Sequence, residues 1–446
     1  MTDSSSAPQS PQSGPPAPDL VPQITVAGFK SLAEPTILDI APLTVLCGGN
    51  SSGKSSIMQP LLMIKQTLEV GFDPGPLLLS GPNVAFSAST EIFWKGGYGT
   101  DQASSFVIGF RDIDGEYNEL TFRQTPHGID LEQMRFRSVT DSPMITFSAG
   151  MELDDAVMEL IPSNIREIIS ADGEHAWTLK RNRCFFEIVA TAQRTGPSSV
   201  GPYPALSYTS TDLLHVPGLR DNPARFYPAT QVGPVFPGVF QSYIASIIQS
   251  WTDTKDPRLG ELGVQLQELG LTWKVATQRI DDTRVALRVG RLPKGRRGGS
   301  RDLVNIADVG LGISQVLPVL VALLTASRRQ YVYLEQPEIH LHPRAQVALA
   351  EIIMTAAMRG VRVICETHSY LLLRAIQEAA VRLEAPEDTV GLNWFMRDRS
   401  GATRVESAYL ADNGSFDGWP NDFADVEMDI EDRYLQAVIR AEKSKG

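Results

Sequence analysis

PLTVLCGGNSSGKSSIMQPLL, residues 42–62, is an apolar run, then a burst of Gly, Asn and Ser, then one Lys, then apolar periodicity again. LTVLC reads as a buried strand. SSIMQPLLMIKQ reads as a helix, running from Gly53 to about Val70, whose buried face carries Ile57, Leu61, Leu62, Ile64 and Leu68. The residues joining them favour neither element and suit a different task, holding phosphate. Glycines let the backbone curl so that successive N–H groups point inward as a nest for anionic oxygens. The helix opening at Gly53 presents its positive end to the same oxygens. Gly48, Gly53, Lys54 and Ser55 satisfy G-x-x-x-x-G-K-[ST], in which the Lys reaches the β- and γ-phosphates and the Ser hydroxyl ligates Mg²⁺. A plain Gly-rich helix cap explains the glycines. It does not explain a Lys in the first turn of an otherwise apolar helix, where the dipole disfavours a cation.

Further acid and anion-binding groups lie downstream. In QYVYLEQPEIHLHP the apolar run 331–334 reads as a buried strand that delivers Glu335 at its C-terminal end, where α/β sheets bind ligands. Glu335 is the candidate Mg²⁺-holding acid, together with Ser55. His340 and His342 could pair on a metal, but no third ligand has suitable spacing, so they read as structural or interface residues. VRVICETHS ends a second buried strand at Glu366, Thr367 and His368, and a His there can hydrogen-bond a γ-phosphate or the attacking water. NIADVGLGISQVLPVLVALL opens an apolar helix, about Ser314 to Ser327, with two glycines and a Ser. Its start is a second site of free N–H groups, with Pro318 in the early turns.

The chain has 446 residues, 42% of them hydrophobic, enough for a sizeable core and two or three lobes. Its net charge of −12 opposes nucleic acid and anionic membrane as whole-molecule partners. Cys47, Cys184 and Cys365 are too scattered for a disulfide framework or zinc site, and no apolar run approaches a membrane span. The expectation is a reduced cytoplasmic protein with no membrane partner. Residues 1–22, rich in Ser, Pro, Gln and Gly, read as a disordered tail. Residues 23–110 read as the first part of a head domain, 111–235 as an inserted mixed lobe with a helix over 154–170, and 236–446 as the rest of the head. Residues 293–301, PKGRRGGSR, are a basic loop. With Arg291 it offers Lys294, Arg296, Arg297 and Arg301 to nucleic acid, although a solvated hairpin tip is the simpler reading. In the last third strands alternate with helices, which argues for a mainly parallel sheet covered by helices.

GFKSL (28–32), GGNSSGKSS (48–56), DVGLGISQVLPVL (308–320), LEQPEIHLHP (334–343) and ETHS (366–369) occur in that order, with a late DNGSFDGWPNDF (412–423). Together they resemble the ABC-class ATPase heads of the SMC, RecN and OLD type, often labelled AAA-family ATPases. The resemblance implies a P-loop NTPase head of α/β class with an inserted α+β lobe, using ATP and Mg²⁺. Gly48, Asn50, Ser51, Ser52, Gly53, Lys54, Ser55 and Ser56 would form Walker A, and Glu335 would be the Walker B acid. Gln336 stands where the family has its catalytic Glu, and His368 is the switch histidine. Gly310, Gly312, Ser314 and Gln315 form the signature segment. Such heads pair around ATP, one copy's Walker A facing the other's signature.

The chain departs from that pattern in three ways. Walker B reads Glu335-Gln336 rather than Asp-Glu, and a glutamine accepts no proton from water, which leaves Glu338 or Glu366 as candidate bases. The signature reads LGISQ. There is no long coiled-coil arm, and only about eighty residues follow His368, little room for a nuclease domain; DVEMDIEDRYLQAV (425–438) reads as an acidic helix. Two classes stay open: an ATPase whose dimerisation and turnover drive a partner effector (a nuclease or toxin) in DNA repair or phage defence, and an ATP-gated scaffold that hardly hydrolyses.

Overall fold

The computed structural model describes residues 20–96, 102–138, 142–153, 175–192, 196–200, 205–291, 302–411, 413–416, 433–434 and 436–437. The tail up to residue 19, the helix expected at 154–170, the basic loop at 293–301 and most of the acidic C-terminal stretch lie outside them.

In chain order the strands are β1 (Gln23–Ala27), β2 (Thr36–Asp39), β3 (Leu43–Gly48), β4 (Ser105–Arg111), β5 (Tyr117–Thr125), β6 (Gly128–Arg137), β7 (Ile145–Ser148), β8 (His175–Asn182), β9 (Phe185–Ala192), β10 (Gly196–Val200), β11 (Leu214–Val216), β12 (Tyr227–Pro228), β13 (Val275–Arg279), β14 (Arg284–Gly290), β15 (Leu303–Asn305), β16 (Tyr331–Glu335), β17 (Arg362–Glu366), β18 (Val390–Arg397) and β19 (Thr403–Tyr409). The helices are α1 (Lys54–Glu69), α2 (Ala205–Asp212), α3 (Ile244–Thr254), α4 (Arg258–Glu268), α5 (Leu311–Thr325), α6 (Pro343–Met358) and α7 (Tyr370–Arg382).

The sheet that matters for function has the order β11-β16-β17-β3-β18-β19. Its first five strands run parallel and β19 returns antiparallel along β18. Parallel pairing is confined to this sheet among the described residues. β2-β1-β4-β5-β6-β7, β10-β9-β8 and the group around β14 are antiparallel throughout. Strands from both sides of residue 110 therefore share one sheet, and β11, from within 111–235, closes the edge of the parallel one.

Both faces of the parallel sheet are covered, which is why its strands read as unbroken apolar runs. Side chains alternate between two cores. Val45, Cys47, Val332, Leu334, Val363 and Cys365 pack with α3, α5, α6 and α7. Leu46, Tyr333 and Ile364 pack with α1 and the antiparallel sheet around Phe106 and Phe122. By the same alternation Glu335 and Glu366, two residues beyond Tyr333 and Ile364, lie on the α1 side. α5 starts at Leu311, three residues before the expected Ser314, so Pro318 sits two turns inside it and withholds the bond to the Ser314 carbonyl. Cys47, Cys184 and Cys365 are buried free thiols. No helix among the described residues is long and apolar enough to cross a membrane.

Candidate functional site

β3 is buried along its whole length and ends at Gly48; α1 begins at Lys54. Between them the backbone turns through left-handed values at Gly48 (φ 137°), Ser51 (φ 58°) and Gly53 (φ 104°). A Cβ at Gly48 would collide with the Phe395 carbonyl oxygen, and one at Gly53 with the hydroxyls of Thr403 and Ser31. The loop is braced from the distant β18–β19 hairpin. Thr403 Oγ1 donates to the Ser52 carbonyl at 2.7 Å and lies 2.8 Å from Ser31 Oγ of GFKSL, while Arg397 Nε donates to the Ser51 carbonyl at 2.8 Å. Lys54 Nζ donates to the carbonyls of Gly48 and Gly49 at 3.0 and 2.8 Å. A cavity of about 900 Å³ opens beside the loop, lined among others by Gly48, Gly49, Asn50, Ser52 and His368. Ser56 is buried in the first turn, its N–H on the Gly53 carbonyl. Gly48→Ala is expected to destabilise the protein by about 3 kcal/mol or more, combining left-handed strain with a backbone collision, measured as the shift in urea midpoint.

The register of three parallel strands sets the acidic groups. Glu335 pairs with Glu366, and Glu366 with Leu46, so β17 stands between β16 and β3. The carboxylate that meets the loop is consequently Glu366. Ser55 Oγ donates to its two oxygens at 2.8 and 3.0 Å, and the buried Tyr333 hydroxyl donates to Oε2 at 2.9 Å. Glu335, the acid named with Ser55 for magnesium, stands one strand further from β3, because β16 pairs with β17 and not with β3. Glu335 instead has His215 Nε2 at 3.1 Å from Oε1 and the Gly218 N–H at 2.9 Å from Oε2. Tyr333 bears on this carboxylate too.

The two acids are driven apart. Burial pushes Glu366 upward, with the charge of Glu335 adding to it. Burial also presses Glu335 upward, but the bonds and charge of His215 and the Gly218 N–H outweigh it, and the net shift is down. Lys54 lies below the ordinary lysine value through burial, against the attraction of Glu366.

The remaining candidates fall in two places. Gln336 has φ 43°, and its N–H donates to the Glu366 carbonyl at 2.7 Å. Glu338 is buried, accepting from Thr367 Oγ1 at 2.6 Å and the His368 N–H at 3.3 Å; burial raises its carboxyl. The His368 ring reaches the Gly48 backbone and is lowered chiefly by burial, then by Lys54. Gly310 and Leu311 of the signature segment are exposed, Ser314 Oγ bonds back to the Leu311 carbonyl, and Gln315 is buried. Gly310, Gly312, Ser314 and Gln315 do not line the cavity beside the phosphate loop. His342 caps α6, accepting from the Arg344 N–H through Nδ1. No group of three His, Cys, Asp or Glu is arranged to hold a metal among the described residues. The sequence reading missed His215, Gly218, Arg220, Arg397 and Thr403. The only local sign of the first three was a polar, Gly- and Pro-containing stretch after Leu214.

Residues 295–374, a minority of the chain that includes GISQ, Glu335 and His368, match the family described as "AAA domain, putative AbiEii toxin, Type IV TA system". No curated protein matches. Three solved structures similar to the chain are SMC heads. One, bound to the C-winged helix domain of ScpA, is 12% identical with a TM-score of 0.44, covering 87% of this chain and 97% of its own. The Thermotoga maritima SMC head domain is 10% identical with a TM-score of 0.34, covering 86% and 97%. The third, with an extended coiled coil and bound to the C-terminal domain of ScpA derived from Pyrococcus furiosus, is 11% identical with a TM-score of 0.43, covering 87% and 97%.

Proposed function

We propose that the chain binds Mg-ATP in the loop 48–56 and hydrolyses it slowly. The observation that carries this reading is the Ser55 hydroxyl resting on the Glu366 carboxylate, beneath a loop bent through Gly48, Ser51 and Gly53 and closed by Lys54. A hydroxyl and carboxylates are hard oxygen donors, and Mg²⁺ takes one or two carboxylates, phosphate oxygens and waters rather than an all-protein cage. Ser55 and Glu366 would hold the metal, with Glu335 beside them. Bound there, Mg²⁺ neutralises charge developing on the phosphate oxygens. Loop N–H groups hold the phosphates, Lys54 pairs with them, and His368 faces the cavity to hydrogen-bond the terminal phosphate or the water. The exposed start of α5 lies outside its own chain's cavity. We therefore assign Gly310–Gln315 to a second copy, completing the site in a homodimer or higher oligomer.

Glu366→Gln keeps an oxygen ligand and removes the charge. The Mg²⁺ concentration giving half-maximal binding of a fluorescent ATP analogue is expected to rise about tenfold, by the usual cost of altering metal partners. An unchanged Mg²⁺ requirement would remove Glu366 from the metal site.

The same reading extends to a role in controlling a separate effector, a nuclease or toxin, in DNA repair or phage defence. The family matched over 295–374 carries a toxin description, which supports that direction. DNA cleavage by the purified chain alone would contradict it. The second reading, an ATP-gated scaffold with little turnover, is favoured by Gln336 in the proton-accepting position.

A further inference from the structure

Three residues of one short stretch close on the end of β16. His215 lies on the edge strand β11, is 3% exposed, and stacks on Tyr333 with ring centres 5.3 Å apart and planes 11° apart. One ring nitrogen faces Glu335 Oε1 at 3.1 Å; the other faces Asn83 Oδ1 at 3.2 Å. The Gly218 N–H takes the second Glu335 oxygen. Arg220, 9% exposed, donates from Nη2 to the main-chain carbonyls of Glu335 at 2.8 Å and Gln336 at 3.3 Å, while its Nε and Nη1 are buried without a hydrogen-bond partner. Gln336, whose carbonyl is so held, is the left-handed residue of that turn.

Side chain, main chain and turn of the acid are thus each fixed by residues 215–220. An exposed carboxylate would not need this, and leaving two nitrogens of a buried guanidinium without partners is costly. We propose that His215, Gly218 and Arg220 are positioning residues that aim the Glu335 carboxylate and hold the Glu335–Gln336 turn beside the metal-binding pair Ser55 and Glu366. The inference rests on the Mg-ATP reading of that site. Partners of this kind orient metal-adjacent groups without touching the metal.

The test uses the full chain and a fluorescent ATP analogue, with the half-saturating Mg²⁺ concentration and the Mg²⁺-free affinity as readouts. His215→Ala is expected to raise the Mg²⁺ requirement about fivefold, below the full cost of a lost partner because the Gly218 N–H remains. Mg²⁺-free affinity should stay unchanged. His215→Gln, which can still donate to Glu335, should recover most of the loss and also serves if the alanine variant folds poorly. In a Glu335→Gln background His215→Ala should add nothing. An unchanged Mg²⁺ requirement in His215→Ala, or an equal shift in the Glu335→Gln background, overturns the proposal. If Lys54→Ala binds the analogue as well as its parent, the phosphate-site reading itself fails and the positioning role falls with it; the first two outcomes overturn the positioning role alone.

Discussion

Lys54→Ala lowers ATP affinity by about 100-fold or more, measured by equilibrium titration with a fluorescent analogue. Lys54 is only 3% exposed, and both of its hydrogen bonds are to carbonyls of the loop it closes, Gly48 and Gly49. Its ammonium is the one cation carried by the phosphate-binding motif. A charge-assisted hydrogen bond contributes roughly 1.5–3 kcal/mol, and about 1.4 kcal/mol is a factor of ten in affinity. Losing a cation that bridges two phosphates therefore reaches about 100-fold. ATP-driven pairing of copies, followed by light scattering, should disappear in the same variant, because the signature of a second copy would have no nucleotide to meet. Affinity within about threefold of the parent would mean that the loop holds no triphosphate.

Gln336→Glu is expected to raise steady-state phosphate release about 100-fold, the lower end of what a positioned general base contributes. The native amide accepts no proton from water, yet its backbone is placed as a catalytic turn would need: the N–H is tied to Glu366, the carbonyl to Arg220, and φ is 43°. A gain of this size would identify the native protein as a slow switch. A flat response would place the proton acceptor elsewhere, with Glu338 the nearest alternative by its contacts with Thr367 and His368.

What the sequence made legible was local. The strand, loop and helix around Lys54 fall where apolar periodicity and Gly punctuation put them, as do the strands ending at Glu335 and Glu366 and the helices after them. What it left hidden depends on neighbours distant in the chain. Glu366 rather than Glu335 meets Ser55 because β17 threads between β16 and β3, and strand order in a parallel sheet is set by packing, not by sequence order. His215 stands on a strand of three residues, too short for any periodic signal. Arg397 and Thr403 act through main-chain oxygens of a loop about 350 positions earlier, which no spacing rule connects. Beside the sheet with five parallel strands stand antiparallel ones, whose half-buried strands between 105 and 192 carried too few periodic residues to assign partners.

The brace from β18 and β19 has a consequence for biosynthesis. β3 is made early, but its two sheet neighbours, β17 and β18, and the hydroxyl that pins Ser52 all come from the last quarter of the chain. Until the ribosome has released residues through Thr403, the growing polypeptide has the phosphate-binding residues without the walls that shape them. On the Mg-ATP reading, a nascent chain would lack a shaped nucleotide site until those late residues join the sheet.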